Sequence, residues 1–412
     1  MNRLLITHPS KIVTGAVELP ASKSISNRYL IIYALAQQSF NGISNLSDAD
    51  DTKLMYHYLN QPTTSPVINV ENAGTCMRFL TAYFAIQPGA DIILHGNTRM
   101  NKRPVKELVD ALKKLGADID YIAEDGFLPI RIKGKKLAGG KITIDGSKSS
   151  QMISAMLLIA PYLQGGLEIQ FDSIVSKSYV DLTLQCMHEM GAAFQQEDNA
   201  IKVLPIPYTI KPITIESDWS AAAFFYAQAS LAKESAITLL NLNKNSLQPD
   251  AFVANFMDRF QVFTEIEENN IKLVKSPYLF QSTIFDLVNC PDIVQPISVA
   301  IGLQNVHCEL TGIAHLRYKE TDRLDALYHE LNKLGVHAEV VDEQLILGGC
   351  TINPDEIHEI ETYGDHRMAM AFAAAALVFN KIIILHPEVV SKSFPKFWQQ
   401  LKQLGYQIQE LQ

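Results

Sequence analysis

Four amphipathic stretches of this chain end alike. "LKKLGADI", "MHEMGAAF", "LNKLGVHAEV" and "LKQLGYQI" each run a helical pattern into a glycine and then into a strand-like segment. The glycines are Gly116, Gly191, Gly335 and Gly405. A helix that stops on a left-handed residue favours glycine there, because glycine takes positive φ without a Cβ clash. "FMDRFQVF", around Phe260, reads as another copy with its glycine lost. Successive marks lie roughly 70–75 residues apart, and the pairs Gly116/Gly335 and Gly191/Gly405 each lie about 215 apart. The chain is therefore expected to be α/β, with two halves built from similar helix-and-strand units.

A second series runs in step with the first. Six very apolar runs each follow a short polar or glycine-bearing motif: "ASKSISNRYLIIYALA", "NAGTCMRFLTAYFA", "GSKSSQMISAMLLIA", "ESDWSAAAFFYAQA", "NCPDIVQPISVAIGL" and "GDHRMAMAFAAAALV". Helices apolar on most faces belong inside a domain. Their starts carry unpaired N–H groups and a partial positive charge, so buried parallel helices with their N-termini at an interdomain cleft would attract anions. Lys23, Arg28, Arg78 and Arg367 add cations at these starts, and Arg103, Lys319, Arg323 and Lys392 add more from other loops. Cations are the wrong sign for a helix start unless an anion is to be held there. Phosphate or carboxylate ligands are expected.

Composition narrows the alternatives. The chain is long enough for two domains, and its net charge of −9 argues against non-specific nucleic-acid or anionic-membrane binding. The longest apolar run, "MAMAFAAAALVF", is too short to span a bilayer. "MNRLLITHPSKIV" lacks the apolar core of a secretory signal. The cysteines, at 76, 186, 290, 308 and 350, are odd in number and form no CxxC pair. They read as buried hydrophobes in a reducing cytoplasm, with no zinc site. Against this background "RYKETDR", residues 317–323, concentrates charge: five of seven residues, where the whole chain has 19%. It reads either as a solvated helix start, with Thr321 as cap or Asp322 in the first turn, or as charges gathered around a ligand.

Taken in order, "SKSISNR", "NAGTCMR", "RMNKRP", "GSKSSQ", "SKSYVD", "PD" at 291–292, "RYKETDR", "GDHRMAM" and "SKSFP" resemble the motifs of the enolpyruvyl transferases, and among them the branch that acts on shikimate 3-phosphate. The resemblance covers almost the whole chain. It implies two similar domains, each of three βαβαββ-type repeats. Residues 1–19 and 217–412 would form a discontinuous domain carrying Asp292, Lys319, Glu320, Arg323, Arg367 and Lys392. Residues 20–216 would carry Lys23, Arg28, Gly74, Arg103, Ser149, Ser150, Gln151 and Ser176.

The implied reaction transfers the enolpyruvyl group of phosphoenolpyruvate to the 5-hydroxyl of shikimate 3-phosphate, on the route to chorismate and the aromatic amino acids. It needs no metal or organic cofactor. By the same resemblance, Lys23, Gly74, Arg103, Gln151, Glu320, Arg323, His366, Arg367 and Lys392 serve phosphoenolpyruvate. Lys23, Ser24, Arg28, Ser149, Ser150, Gln151, Ser176, Tyr179, Asp292, His315 and Lys319 serve shikimate 3-phosphate. Asp292 is the expected base toward the 5-hydroxyl and Glu320 the proton donor and acceptor at the methylene carbon, with Lys23 and Lys319 assisting. Asp292 and the serines at helix starts could instead be ordinary caps. The chain is expected to be monomeric.

His315 departs from the pattern, standing where many members have Asn, and Pro249 in "SLQPD" stands where Gly is common. A sister enzyme acting on UDP-N-acetylglucosamine is the near alternative, but it typically carries a cysteine in the loop that here reads "HGNTRMNKRPVK". A non-catalytic anion-binding protein is the other, and it would have no use for Asp292 and Glu320 beside a full set of cations.

Overall fold

The protein was analysed as a computed structural model that describes residues 2–60, 66–279 and 282–411. It divides into two compact units, Met1–Ser22 with Glu216–Gln412, and Lys23–Ile215. All six apolar runs are helical. They form Lys23–Leu35, Gly74–Ala85, Ser150–Ile159, Trp219–Leu231, Val294–Gly302 and His366–Phe372, the last continuing as a 3-10 helix over Ala373–Leu377. Each is buried along nearly its whole length; Trp219–Leu231 buries every residue from Ala221 to Ser230. With no solvated face available, its polar Gln228 must find a partner inside, and its side-chain oxygen accepts the Tyr406 hydroxyl.

Among the described residues, five four-stranded sheets share one strand order. In Lys23–Ile215, Val67–Asn69 lies parallel to Asp91–His95, followed across the sheet by Ile130–Lys133 and then Asp118–Tyr121, both pairings antiparallel. The first two strands are joined through a buried helix, Gly74–Ala85, and the next connection through an amphipathic one, Lys106–Lys114. This is the βαβαββ unit that the family resemblance implied. The same order recurs for Gly140–Gly146, Leu167–Ile174, Ala200–Val203 and Phe194–Glu197. A smaller two-stranded sheet pairs Ile43–Ser44 with Ile213–Thr214, also in parallel.

Two sheets of the other unit explain why its sequence is split. Ile12–Glu18 pairs in parallel with Glu234–Leu240, so the whole of Lys23–Ile215 is inserted between a strand and its own buried helix, Trp219–Leu231. The last sheet runs His358–Ile360, Ile382–Leu385, Arg3–Thr7, Gln407–Leu411. Its third strand in that order, Arg3–Thr7, comes from the beginning of the chain.

The four predicted stop glycines all have positive φ: Gly116 +94°, Gly191 +83°, Gly335 +79° and Gly405 +96°. Each lies one residue past a C-cap leucine or methionine. At Gly116 the double hydrogen bond of a Schellman motif is present, Ala117 N–H to the Leu112 carbonyl and Gly116 N–H to the Lys113 carbonyl. The copy near Phe260 differs. There the left-handed residue is Gln261, φ 66°, and it sits where the pairing of Phe260–Glu267 with the next strand shifts register. A β-bulge replaces the helix stop.

A Cβ at Gly405 would approach the His8 ring at 3.3 Å, whereas one at Gly335 would lie 2.1 Å from the Thr351 carbonyl oxygen. Gly405→Ala should therefore cost about 1–2 kcal/mol of backbone strain, and Gly335→Ala distinctly more. Urea unfolding of the two variants, compared by midpoint, checks the order.

Candidate active site

Within the unit Met1–Ser22 and Glu216–Gln412, three cations and three carboxylates close into one network. Arg323 opens the helix Arg323–Lys333 and is only 1% exposed. Its Nε donates to Asp365 Oδ2 at 2.7 Å, its Nη1 to Asp292 Oδ1 at 3.1 Å and its Nη2 to Glu320 Oε2 at 2.9 Å. Arg367 Nη2 lies 2.8 Å from Asp292 Oδ2, and its Nη1 donates to the Asp292 carbonyl at 3.0 Å. Lys392 Nζ lies 3.1 Å from Glu320 Oε1. Burial works against the Arg323 charge, but the carboxylates of Asp365, Glu320 and Asp292 more than reverse this and hold its proton tightly. The same competition runs the other way at Asp292. Burial favours its neutral form, yet Arg367, Lys319 and Arg323 together outweigh burial and the opposing charge of Glu320, holding the carboxyl well below its usual range.

Local structure explains how cations come to sit at helix starts. Asp365 is the N-cap of His366–Phe372, and its Oδ1 accepts the backbone N–H of Arg367 at 2.9 Å while its other oxygen holds Arg323. One fully buried carboxylate thus satisfies a helix end and offsets a guanidinium. Asp322, not Thr321, caps Arg323–Lys333: its side chain accepts the Asp325 N–H at 3.1 Å and also takes Arg317 at 2.8 Å. Asp292 does not cap; it is the second residue of a 3-10 turn, Pro291–Ile293, and its carboxylate turns to the arginines. "RYKETDR" is both a helix start and a charge cluster.

His315 is buried in the 3-10 turn Ala314–Tyr318. Burial and the charges of Lys319 and Arg323 outweigh Asp292 and bring its pKa down to about 3. A neutral imidazole offers a donor N–H and an acceptor nitrogen, as the Asn amide offers donor N–H groups and an acceptor oxygen, which is the physical sense in which it stands in for Asn. His366 is buried, with Nδ1 3.4 Å from Asp365 Oδ1. Asp250 is a carboxylate with no part in the sequence reading. It is 1% exposed, accepts the Ser220 hydroxyl, and is raised to about 7 by burial and by the charge of Asp292, against Arg367.

Within Lys23–Ile215, the predicted residues gather around four helix starts, those of Lys23–Leu35, Gly74–Ala85, Ser150–Ile159 and Lys177–Glu189. Lys23 Nζ donates to Asp51 Oδ2 at 3.2 Å. Arg28 is tied into the unit through Nε to Thr183 Oγ1, 2.8 Å, Nη1 to the Ser24 carbonyl, 2.7 Å, and Nη2 to the Tyr179 carbonyl, 3.0 Å. Gln151 is gripped from both ends of its amide, accepting from Arg78 at 2.7 Å and donating to Thr75 at 3.1 Å. Ser149 is the N-cap of Ser150–Ile159 but makes no side-chain cap bond; Ser176, left-handed at φ 53°, makes none to Lys177–Glu189. The buried Arg103 guanidinium lies against Gly74, and a Cβ there would meet its Nη1 at 2.7 Å.

Asp51, Asp250 and Asp365 are what the sequence reading missed. Asp365 stood inside the quoted "GDHRMAM", just before a run of helical apolar residues, and an N-cap expectation there could have found it. Among the described residues no group of three or more His, Cys, Asp and Glu side chains could hold a metal ion. No described helix is long and apolar enough to cross a membrane.

The family profile of EPSP synthase (3-phosphoshikimate 1-carboxyvinyltransferase) matches residues 7–63 and 58–401. The chain belongs to the EPSP synthase family. A 3-phosphoshikimate 1-carboxyvinyltransferase of Bacteroides fragilis is 44% identical over 409 residues, 98% of each chain. Another, of Haemophilus influenzae, is 33% identical over 431 aligned residues, covering 96% of this chain and 98% of its own. Two solved structures share the fold. EPSP synthase from Acinetobacter baumannii superposes with a TM-score of 0.78 at 21% identity over the full length of both chains. The enolpyruvyl transferase NikO from Streptomyces tendae gives 0.74 at 14% identity, over 100% of this chain and 99% of its own. The two-domain EPSP synthase fold expected from the motifs is the fold of this chain.

Two outcomes follow from the buried charges. Asp365→Ala leaves Arg323 short of its closest carboxylate and should cost about 3–5 kcal/mol, read by denaturant unfolding. Burial above all holds the folded pKa of His315 below the ordinary imidazole value of 6.5, so the unfolded state takes up the proton first. Its contribution makes stability fall as pH drops from 6.5 toward about 3. His315→Asn should flatten the stability–pH curve in that window, which unfolding measured at a series of pH values will show.

Proposed function

We propose that the protein joins the enolpyruvyl group of phosphoenolpyruvate to the 5-hydroxyl of shikimate 3-phosphate and releases inorganic phosphate. The observation that carries this reading is the Arg323 network. Two carboxylates suited to proton transfer, Asp292 and Glu320, are each held by two cations that are themselves suited to phosphate and carboxylate. Family membership supplies the substrates.

The chemistry follows from that geometry. The 5-hydroxyl oxygen bonds to C2 of phosphoenolpyruvate as its methylene carbon takes a proton, giving a tetrahedral intermediate. Loss of phosphate and of a methyl proton then regenerates the double bond. Asp292 accepts the hydroxyl proton, and Glu320 delivers and later removes the proton at carbon, with Lys23 and Lys319 assisting. Substrate-free, Asp292 is a feeble base because Arg367 and Arg323 hold it ionised. An incoming phosphate or carboxylate competes for Arg367 and Lys392. As those cations turn to substrate, Asp292 gains proton affinity and Glu320 is released from Lys392. Anion binding therefore arms the acid–base pair, with no group other than the substrates themselves as trigger.

We assign the phosphoenolpyruvate contacts to Lys23, Gly74, Arg103, Gln151, Glu320, Arg323, His366, Arg367 and Lys392. The shikimate 3-phosphate contacts are Lys23, Ser24, Arg28, Ser149, Ser150, Gln151, Ser176, Tyr179, Asp292, His315 and Lys319. Phosphate release, followed with phosphoenolpyruvate and either shikimate 3-phosphate or UDP-N-acetylglucosamine, tests the reading. Turnover only with the second acceptor would overturn it, as would none with either.

Glu320→Gln keeps shape and removes proton exchange, so kcat should drop at least about a hundredfold while shikimate 3-phosphate still binds. Gly74→Ala should displace the Arg103 guanidinium and raise the KM for phosphoenolpyruvate about tenfold. Combined with Arg103→Ala it should add little, since both changes disturb the same contact; a double-mutant cycle on KM measures this.

A further inference from the structure

Tyr363 stands in a backbone conformation that suits it badly. Its φ is 53° and that of Gly364 is 69°, and the Asp365 N–H donates to the Thr362 carbonyl at 2.8 Å, closing a tight turn over residues 362–365. Two successive left-handed residues make a turn that Gly, Asn and Asp fill most readily, and a bulky side chain there is strained. The turn delivers Asp365, the N-cap of His366–Phe372, whose carboxylate accepts the Arg367 N–H at 2.9 Å and Arg323 Nε at 2.7 Å. Glycine or asparagine would make the turn alone at less strain, so what the tyrosine adds lies in its side chain.

That side chain ends on a buried carboxylate. The Tyr363 hydroxyl donates to Glu330 Oε1 at 2.9 Å, and Glu330 is 1% exposed. The other oxygen, Oε2, accepts Lys333 Nζ at 2.6 Å and the Glu361 N–H at 3.3 Å, and Lys333 also donates to the Glu359 carbonyl at 2.9 Å. Burial and the hydrogen bond to Glu330 push the pKa of the Tyr363 hydroxyl up, which keeps it a donor. Glu330 and Arg323 belong to one helix, Arg323–Lys333, about two turns apart, so both side chains leave the same face. The segment from Glu359 to Asp365 is thus fastened along that face at both ends. Lys333 and Glu330 hold it at Glu359, Glu361 and Tyr363, and Arg323 holds it at Asp365. Arg367, just beyond, lies 2.8 Å from Asp292.

We propose that Glu330 and Tyr363 are positioning residues for the phosphoenolpyruvate site: their hydrogen bond sets where Asp365 stands, and through it the placement of Arg323 and Arg367. Neither is among the substrate contacts assigned above, and the role rests on the function proposed there. A hydrogen bond or ion pair carries every step, from Glu330 to Tyr363, across the turn to Asp365, and from Asp365 to Arg323 and the Arg367 backbone. Without the hydroxyl the turn loses its tie to the helix, and the carboxylate shared by both arginines moves with it. The shikimate 3-phosphate contacts Ser24, Arg28, Ser149, Ser150 and Ser176 belong to Lys23–Ile215 and do not depend on this turn.

Two variants at one position separate positioning from turn-making. Tyr363→Phe keeps the strained φ and loses the hydroxyl. Tyr363→Gly also loses the hydroxyl but suits the turn. Both should raise the KM for phosphoenolpyruvate at least about fivefold, the worth of one hydrogen bond, while the Kd for shikimate 3-phosphate changes less than about twofold. A tyrosine that only shaped the turn would be replaced by glycine without loss, so a wild-type KM in Tyr363→Gly overturns the proposal. An equal rise in the shikimate 3-phosphate Kd also overturns it, since that marks general damage to the fold. Glu330→Ala should raise the same KM, and Tyr363→Phe added to it should change nothing further; additive effects overturn the pairing. Should Glu330→Ala fail to fold, the two Tyr363 variants, at a 36% exposed position, decide alone. A wild type that releases phosphate with neither acceptor refutes the proposed function instead. The positioning role is then decided by calorimetric affinity for inorganic phosphate, weaker in both Tyr363 variants if it holds and equal to the wild type if it fails.

Discussion

A guanidinium taken out of water is tolerable only if its donors are met, and Arg323 has three carboxylates around it at 2.7–3.1 Å. It also sits at a helix start, where the backbone already contributes positive charge. Without Asp365, Glu320 and Asp292 that placement would be unfavourable twice over, by desolvation and by the helix dipole. The partners come from a 3-10 turn, a helix-start loop and an N-cap, so three separate segments are fixed relative to one another by a single side chain. Arg367 and Lys392 extend the network outward along Asp292 and Glu320.

The fold makes this arrangement available by repetition. Each repeat that forms a four-stranded sheet has a strand, a buried helix, a parallel strand, a second helix and two more strands. Burying a helix on all sides leaves its start as the place where polar groups can be put, and the repeat supplies several such starts. The aspartates at N-cap positions then do two jobs: Asp365 and Asp322 each close a helix end and hold an arginine. Asp218 caps Trp219–Leu231 by accepting the Ala221 N–H at 2.9 Å.

How much of this could be read from the residues depended on how local the cause was. The stop glycines were legible because positive φ is a demand made by four or five consecutive residues. The six apolar helices were legible because burial on all faces leaves a composition as its mark. Phe260 misled, since a bulge and a helix stop both want a left-handed residue, and here Gln261 serves the bulge. Asp51 lay outside any motif that had been singled out, and Asp250 stood in "SLQPD" with no role given to it; only folding brings Asp51 to Lys23 and Asp250 into the field of Asp292. The role of Arg3–Thr7 was equally hidden, because its partners lie at the far end of the sequence. The neutral state of His315 likewise depends on Lys319 and Arg323 being near it in space.

The pairing of Arg3–Thr7 between Ile382–Leu385 and Gln407–Leu411 has a consequence for synthesis. Those partner strands leave the ribosome long after Arg3–Thr7, and Ile12–Glu18 likewise waits for Glu234–Leu240. The opening segment therefore emerges with no sheet to join, while Lys23–Ile215 contains every strand its own sheets require. Vectorial synthesis would let that inserted unit fold first, on a tether whose own strands remain unpaired. Until Ile382–Leu385 and Gln407–Leu411 have left the tunnel, Leu4 and Ile6 expose apolar side chains and Arg3–Thr7 exposes open backbone donors and acceptors. This early edge is the part of the nascent protein most in need of shelter.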